Sequence, residues 1–247
     1  MEESLYEIAS MRRVARLSLA WGTIPYETTI LNFRHMLEKH SLAERILETV
    51  NKLLVRKGLT LKQSTIVDAT IIAAPSSTKN GSGTRDPEMH QTRKGKQWYF
   101  EMKAHVGSDA ETGLVHTVEG TAANVADVTV ASDLLHGEEE MVFADAGYQS
   151  VAKRVESTGK TVEWHVAMRP AKRRALRSTE HDRILDQVER IKAQVRVKGE
   201  HALRVVKRQF GYTKVRYRGL AKNTAQLRTL FALANLWMAR RALMNTG

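Results

Sequence analysis

The sequence predicts a mixed α/β (α+β) fold: a five-stranded mixed sheet flanked by helices, with a small helical segment in front. Three observations carry this. The spacing of apolar residues changes near residue 62 from the helical period of about 3.6 to the strand period of 2. Five later segments have strand character, the first three joined by turns and the last two by helical stretches. The chain has 247 residues, 42% hydrophobic and 27% charged, enough to bury a substantial core without covalent staples.

The elements follow in order. After Pro25, Thr28 or Thr29 can cap a helix whose stripe is Ile30, Phe33, Met36 and Leu37. Ser41 can cap a second, with Leu42, Ile46, Val50 and Leu54 on one face, closed by Gly58. Thr65 to Ile72 is short, β-branched and apolar, a buried strand. Residues 75–96 contain Pro75, Asn80-Gly81-Ser82-Gly83 and Arg93-Lys94-Gly95-Lys96 and read as a polar, partly basic loop. From Trp98 to Val106 apolar Phe100, Met102, Ala104 and Val106 alternate with Glu101, Lys103 and His105, a half-buried strand. A turn at 108–113 leads to a return strand, Leu114 to Thr121. Asn124 can cap a helix reaching Leu135. Met141 to Ala144 is a buried strand ending at Asp145.

A short helix follows at 150–157, and Val162, Trp164, Val166 and Met168 alternate as a fifth strand. A basic loop, Arg169 to Arg174, precedes a long helix over 182–208 with Ile184, Val188, Ile191 and Val195 as its stripe. A link over 211–219 leads to a last helix over 224–244, carrying Leu227, Leu230, Phe231, Ala234, Trp237 and Met238. Three antiparallel-connected strands followed by two helix-linked ones is the ribonuclease H-like order, in which the first and fourth strands are neighbours. The expected organisation is a helical segment over 1–61 and a catalytic domain over 62–247, with the polar loop at 75–96.

Composition narrows the function. No Cys is present, so disulfides, thiolate catalysis and Cys-bound zinc are excluded. The net charge is +12, and it is unevenly placed. Up to Gln149 the chain holds 16 basic and 20 acidic side chains; beyond it, 23 basic and 7 acidic. Such asymmetry points to a polyanionic partner, nucleic acid in the first place. The membrane alternative is weak. The start, Met1-Glu2-Glu3-Ser4, lacks the basic n-region of a signal peptide, and Arg228, Arg240 and Arg241 interrupt the most apolar stretch.

Asp68 falls within the first strand and Asp145 at the end of the fourth. A carboxylate in an apolar strand is unfavourable unless a base or a metal neutralises it. Two such groups on neighbouring strands can converge on one hard cation, although Asp145 before Ala146-Gly147 also suits a strand-end turn. Glu200 lies on the long helix on one face with Arg196, Arg204 and Lys207. Alone it reads as a solvated ion pair; with two aspartates it completes a set able to hold two metals. Tyr212, Lys214, Arg216, Tyr217, Arg218 and Lys222 cluster in and after the link, either to bind phosphates or, for the tyrosines, to cover a helix junction. The nine His make no metal spacing; His105 and His201 read as hydrogen-bonding neighbours of the site.

Val67-Asp68-Ala69-Thr70, Asp145-Ala146-Gly147-Tyr148 and Arg196-(3)-Glu200-(6)-Lys207 resemble the DDE transposases of bacterial insertion sequences, the IS-five family in particular. Arg85-Asp86-Pro87-Glu88-Met89, Lys103-Ala104-His105, Thr121-Ala122-Ala123-Asn124-Val125 and Tyr217-Arg218-Gly219-Leu220 look like the same group, so the resemblance spans nearly the whole chain. It implies a ribonuclease H-like domain with Asp68, Asp145 and Glu200 as a triad for two Mg²⁺ ions, Mn²⁺ substituting. It implies cleavage at terminal inverted repeats, strand transfer into target DNA, and a homodimer in the DNA complex of a bacterial, cytoplasmic, nucleoid-associated protein. Arg196, Arg204, Lys207, Lys214, Arg216, Arg218 and Lys222 are the expected DNA-binding residues. Ala193 stands where the wider signature has Tyr. Gly199 stands where a larger residue is usual, and is expected to weaken the helix by about 1 kcal/mol and loosen Glu200. The family usually begins with a longer helical region. Two alternatives therefore stand beside transposition: an inactive, N-terminally truncated DNA-binding remnant, and a ribonuclease H-like nuclease without strand transfer.

Overall fold

The structure, a computed structural model, describes residues 2–19, 23–60, 63–154, 162–177 and 179–244. The chain divides into two compact units, Met1–Ala43 and Glu44–Gly247. The smaller holds α1 (Glu2–Glu7), α2 (Ala9–Val14) and α3 (Glu27–Lys39). Tyr26, not Thr28 or Thr29, takes the N-cap of α3, and the Glu2 carboxylate accepts from Glu27 N at 2.7 Å, the negative charge suiting a helix start. The expected stripe of α3 is not a packing face: the helix buries no residue, and Phe33 and Met36 are exposed.

The larger unit is built on a sheet. Its helix α4 (Leu42–Arg56) begins after Ser41, which has φ +49° rather than the extended backbone of an N-cap. Leu47 and Leu54 are the buried anchors of α4, with Ile46 and Val50 beside them. The strands are β1 (Ser64–Ala73), β2 (His90–Lys94), β3 (Gln97–Asp109), β4 (Val115–Ala122), β5 (Met141–Ala144) and β6 (Glu163–Val166). The order is β2-β3-β1-β5-β6, with β4 also on β3. β1 runs antiparallel to β3 and parallel to β5, which is parallel to β6. The expected adjacency of the first and fourth strands is the β1–β5 pair, and the fold is ribonuclease H-like.

The sheet has six strands where five were expected. The addition is β2, inside the segment read as polar loop. His90-Gln91-Thr92-Arg93-Lys94 has no apolar alternation to betray it; its pairing with Gln97–Glu101 across a tight turn makes it a strand.

Each face of the sheet has its own cover. Ile72, Met102, Ala104 and Val106 pack beneath Ala202, Leu203, Val206, Leu227 and Phe231. Val67, Val142 and Ala144 pack on the other face beneath Val130, Ala131, Leu134 and Tyr148. The cover on both sides corrects the half-buried reading of β3: Glu101 and His105, expected to face water, are buried. The helix expected over 124–135 is one turn, α5 (Asp127–Val130, N-cap Ala126), continued as 3₁₀ helix to Leu134. The helix expected over 150–157 is a 3₁₀ turn at Val151–Lys153, and residues 155–157 lie outside the described ones. The basic loop is instead α6 (Pro170–Arg174), with Pro170 in the first turn where its missing N–H is harmless.

The long helix is α7 (Glu180–Arg204), capped by the Thr179 hydroxyl accepting from Asp182 N, and it continues as a π-helical turn, Val205–Gln209. Its expected stripe is overturned: Ile184 is 54% and Ile191 58% exposed, and Val188 is exposed as well. The first half of α7 meets the end of β6 through polar groups. Glu189 accepts from Met168 N at 2.8 Å, and Lys192 donates to Val166 O at 3.1 Å. The burying residues are Glu189, Gly199, Ala202 and Leu203. The last helix, α8 (Leu220–Met244), buries Leu227, Phe231 and Ala234 as expected, whereas Trp237 is exposed beneath the Arg240 guanidinium, 4.2 Å from the ring centre.

Gly199 does the reverse of what its helix propensity suggests. A Cβ there would lie 3.0 Å from Ile66 Cγ2 in β1 and 3.1 Å from Ser108 Oγ in β3. The bare backbone lets α7 lie directly on the central strands. One residue earlier, Lys198 O presses on Gly113 of the β3–β4 turn, which has φ +73° and no room for a side chain. The helix is seated, not loosened, at Glu200. We expect Gly199→Val to lower stability by about 1–3 kcal/mol through overpacking, read as a fall in Tm. Gly199→Ala, gaining about 1 kcal/mol of helix propensity, should fall between the two.

Candidate active site

β1 and β5 pair in parallel with Val67 opposite Ala144. Asp68 and Asp145 are the next residue on each chain, so they follow the paired positions side by side. Both share the face of Ile66 and Phe143, because side chains alternate along a strand. Gly199 covers Ile66 on that face, which brings the adjacent Glu200 to the same end of the sheet.

Local backbone groups hold both aspartates. Asp68 Oδ1 accepts from Ala69 N at 2.8 Å. Asp145 is the N-cap of a 3₁₀ turn, Ala146–Tyr148, and its Oδ1 accepts from Gly147 N at 2.7 Å. The strand-end turn role and a functional role are therefore compatible: each aspartate uses one oxygen on its own backbone and keeps Oδ2 for another partner. Burial pushes the Asp68 carboxyl up to about 6. The Ala69 N–H and the Arg196 guanidinium oppose the rise, while the charges of Asp145 and Glu200 add to it. Asp68, Asp145, Glu200 and Arg196 thus form one electrostatic group.

Two neighbours escaped sequence reasoning. Tyr148 is fully buried, and its hydroxyl has no hydrogen-bond partner among the described residues. Burial, with the charges of Asp127, Asp68 and Asp145, pushes its phenol far up, so it remains neutral. Asp127 is a fourth carboxylate, bound by Lys103 Nζ at 2.9 Å; the same Nζ donates to Val125 O at 2.7 Å. The signal for Tyr148 lay in the Asp145-Ala146-Gly147-Tyr148 motif, and that for Asp127 in the family-like segments around Lys103 and Val125. His105 Nε2 bonds Thr121 Oγ1 at 2.8 Å, and burial lowers its pKa to about 4. It is a neutral hydrogen-bonding residue, as expected; His201 is exposed on α7.

The basic residues fall into two groups. Arg196 and Arg204 lie on α7, and Lys207 on the π-helical turn, where Nζ donates to Ile71 O of β1 at 2.9 Å. Lys207, Lys103, Asp127, Glu101, Ala69 and Ile71 line a cavity of about 370 Å³. Lys214, Arg216 and Lys222 are exposed around the link. Arg218 instead binds Ser82 Oγ at 2.6 Å and Thr84 Oγ1 at 3.0 Å. Asp86 and Glu88 accept from Gly219 N and Leu220 N, each at 2.6 Å, at the start of α8. Carboxylates stabilise a helix N-terminus, so the segments 85–89 and 217–220 clasp each other. Tyr212 is buried and donates to Asn223 Oδ1 at 3.0 Å, the covering role considered for it. Asn223 also binds the 216–219 backbone through both ends of its amide, which makes it the organiser of the link.

Fold and site together define a ribonuclease H-like protein with an acidic centre beside a basic helix. A family model described as a transposase DDE domain matches residues 60–236, most of the chain, and the chain belongs to the DDE transposases. Membership implies a DNA substrate and use of a divalent metal. No solved structure matches the chain. Among the described residues no helix is long and apolar enough to cross a membrane.

The raised pKa of Asp68 makes folding take up a proton between about pH 4 and pH 6. In EDTA, stability should therefore fall as pH rises through this window. Asp68→Asn should remove that fall and be the more stable protein at pH 7, as followed by thermal melts across pH.

Proposed function

We propose that the chain is the transposase of a bacterial insertion sequence of the IS-five type. It would cleave DNA at the element's terminal inverted repeats and join the freed 3′-hydroxyl to target DNA. The observation that carries this is the placement of Asp68 and Asp145 at neighbouring register positions, on the face where Gly199 seats Glu200. In this reading residues 62–247 are the catalytic domain, 1–61 a helical segment before it, and the working place the bacterial nucleoid.

The donor set suits Mg²⁺, with Mn²⁺ as substitute: it is all carboxylate oxygen, and its own members disfavour charge on Asp68. Two such ions, when bound, would activate a water or a 3′-hydroxyl and offset charge on the phosphate oxygens. The protein's part is positioning. Asp68 and Asp145 present their Oδ2 atoms from a rigid sheet, fixed through their Oδ1 bonds. Glu200 closes the set from α7. Arg196 partly balances the carboxylates, and with Arg204 and Lys207 it lines the approach of a DNA backbone. Lys214, Arg216 and Lys222 extend the phosphate-binding surface along the link, with Arg218 shaping it. Pairing of two element ends calls for a homodimer.

Asp68→Asn, Asp145→Asn and Glu200→Gln should each reduce Mg²⁺-dependent cleavage of terminal-repeat DNA to background while gel-shift affinity stays within a few-fold. Wild-type cleavage by any one of them removes that residue from the mechanism. Pre-cleaved ends should yield joined products with the wild type; hydrolysis without joining would leave a plain nuclease. Replacing Lys214, Arg216 and Lys222 together by Ala should weaken binding and flatten its salt dependence, by a slope of about 1 for each phosphate no longer neutralised.

A further inference from the structure

A second group of ligating side chains lies on the other face of the sheet. Thr65 and Val67 point away from the face of Ile66 and Asp68. Next to Thr65, the side chains of His116, His136 and Glu139 offer ligand atoms that all lie within 4.8 Å of one another. The sequence shows no metal spacing here, because His116 comes from a segment apart from the one that holds His136 and Glu139. His116 sits where β4 shifts register against β3, at Gly107/Ser108. His136 and Glu139 belong to the segment that leads into β5.

The group is built rather than incidental. The Glu139 side chain is fully enclosed, and it accepts from His136 N at 2.6 Å and Gly137 N at 2.7 Å, which turns its segment inward. Thr65 Oγ1 lies 3.3 Å from Glu139 Oε1 and 3.1 Å from His116 Nε2. His116 Nδ1 is held by Thr117 Oγ1 at 2.9 Å. Among the described residues His136 Nε2 has no hydrogen-bond partner; it is buried 3.4 Å from Glu139 Oε1. A buried imidazole nitrogen that faces a carboxylate without a hydrogen bond calls for a specific explanation.

We propose that His116, His136 and Glu139 form a Zn²⁺-type site, separate from the Asp68–Asp145–Glu200 centre, whose fourth position opens on the cavity between α4 and β4. Two imidazoles and one carboxylate suit zinc and its first-row neighbours, whereas Mg²⁺ prefers oxygen. Zinc bonds of 2.0–2.1 Å in a tetrahedron place ligand atoms about 3.3–3.4 Å apart. His136 Nε2 and Glu139 Oε1 already have that spacing. The two rings meet edge to face with centres 5.0 Å apart, and the three ligand atoms, all within 4.8 Å of one another, need to close by at most about 1.5 Å, through rotation of the His116 ring, to complete the set. Its Nδ1–H would then donate to Thr117, the kind of outer bond that fixes a ligating imidazole. The cavity, about 630 Å³, is lined by His116 and His136 together with Asn51, Lys52 and Arg56 of α4, leaving room for a water or small anion at the fourth position. Such an ion would tie β4 to the segment that sets β5, and through β5 the position of Asp145.

The test uses the full, untagged chain carrying Asp68→Asn and Asp145→Asn, which silences the other site. Titration with Co²⁺ should give one equivalent with the strong visible absorption of tetrahedral coordination, bleached by Zn²⁺ and untouched by Mg²⁺. Zn²⁺ should raise Tm with the logarithm of its concentration. His136→Gln should lose both responses. Absence of the Co²⁺ band and of the Tm rise in the parent overturns the proposal. So does a band unchanged in His136→Gln. If that variant fails to fold, X-ray absorption of the zinc-loaded parent decides: two imidazoles bound to the zinc support the site, and fewer reject it.

Discussion

The close approach of the α7 backbone to the centre of the sheet, at Gly199 over Ile66 and Ser108, governs the site. Helices usually stand off a sheet by the depth of the side chains between them. Here one layer is missing, and Lys198 O rests on the β3–β4 turn at Gly113. This brings Glu200 towards Asp68 in the middle of β1, where β5 ends, although it is itself exposed on its helix. A larger residue at 199 would move Glu200 without touching any charge. The geometry of the acidic centre is thus set by packing.

Electrostatics then explains the division of the chain. The sheet and the turn after β5 supply Asp68 and Asp145 from the acidic part; α7 supplies Glu200 with Arg196 and Arg204, and the π-helical turn after it Lys207, from the basic part. Asp68, half-buried and facing like charges, is held in an environment that resists its ionisation. In the reading proposed above, such a centre favours bound cations and the basic surround favours the polyanion they act on. Several cations serve the architecture as well. Lys103 holds Asp127 and Val125, Lys207 reaches Ile71, and Arg218 binds the loop over 82–85.

Legibility followed how local each determinant was. Asp68 stood out because an apolar strand cannot carry a lone carboxylate, and Asp145 because a buried strand ended on it. Glu200 was visible through its spacing to Arg196 and Lys207, and only in company. Strand β2 was hidden because its partner, not its own pattern, makes it a strand. The stripe Ile184, Val188, Ile191 had perfect helical spacing, yet those residues lie where α7 meets the sheet through polar groups. Periodicity reports which residues share a helix face; it does not say whether that face is covered. His116, His136 and Glu139 had no spacing to notice, since a strand irregularity and a distant loop bring them together.

By itself the sequence determined the class of fold, the neighbouring of the first and fourth strands, the two aspartates and the basic character of the final helices. These depend on local periodicity, on turn chemistry and on the large penalty of charge in apolar surroundings, all of which act over short stretches of chain. Tertiary packing settled why Gly199 is a glycine, which cations are held inside the fold, and that His116, His136 and Glu139 gather behind the sheet. Those outcomes depend on distances between segments far apart in the chain, and residue spacing carries no record of such distances.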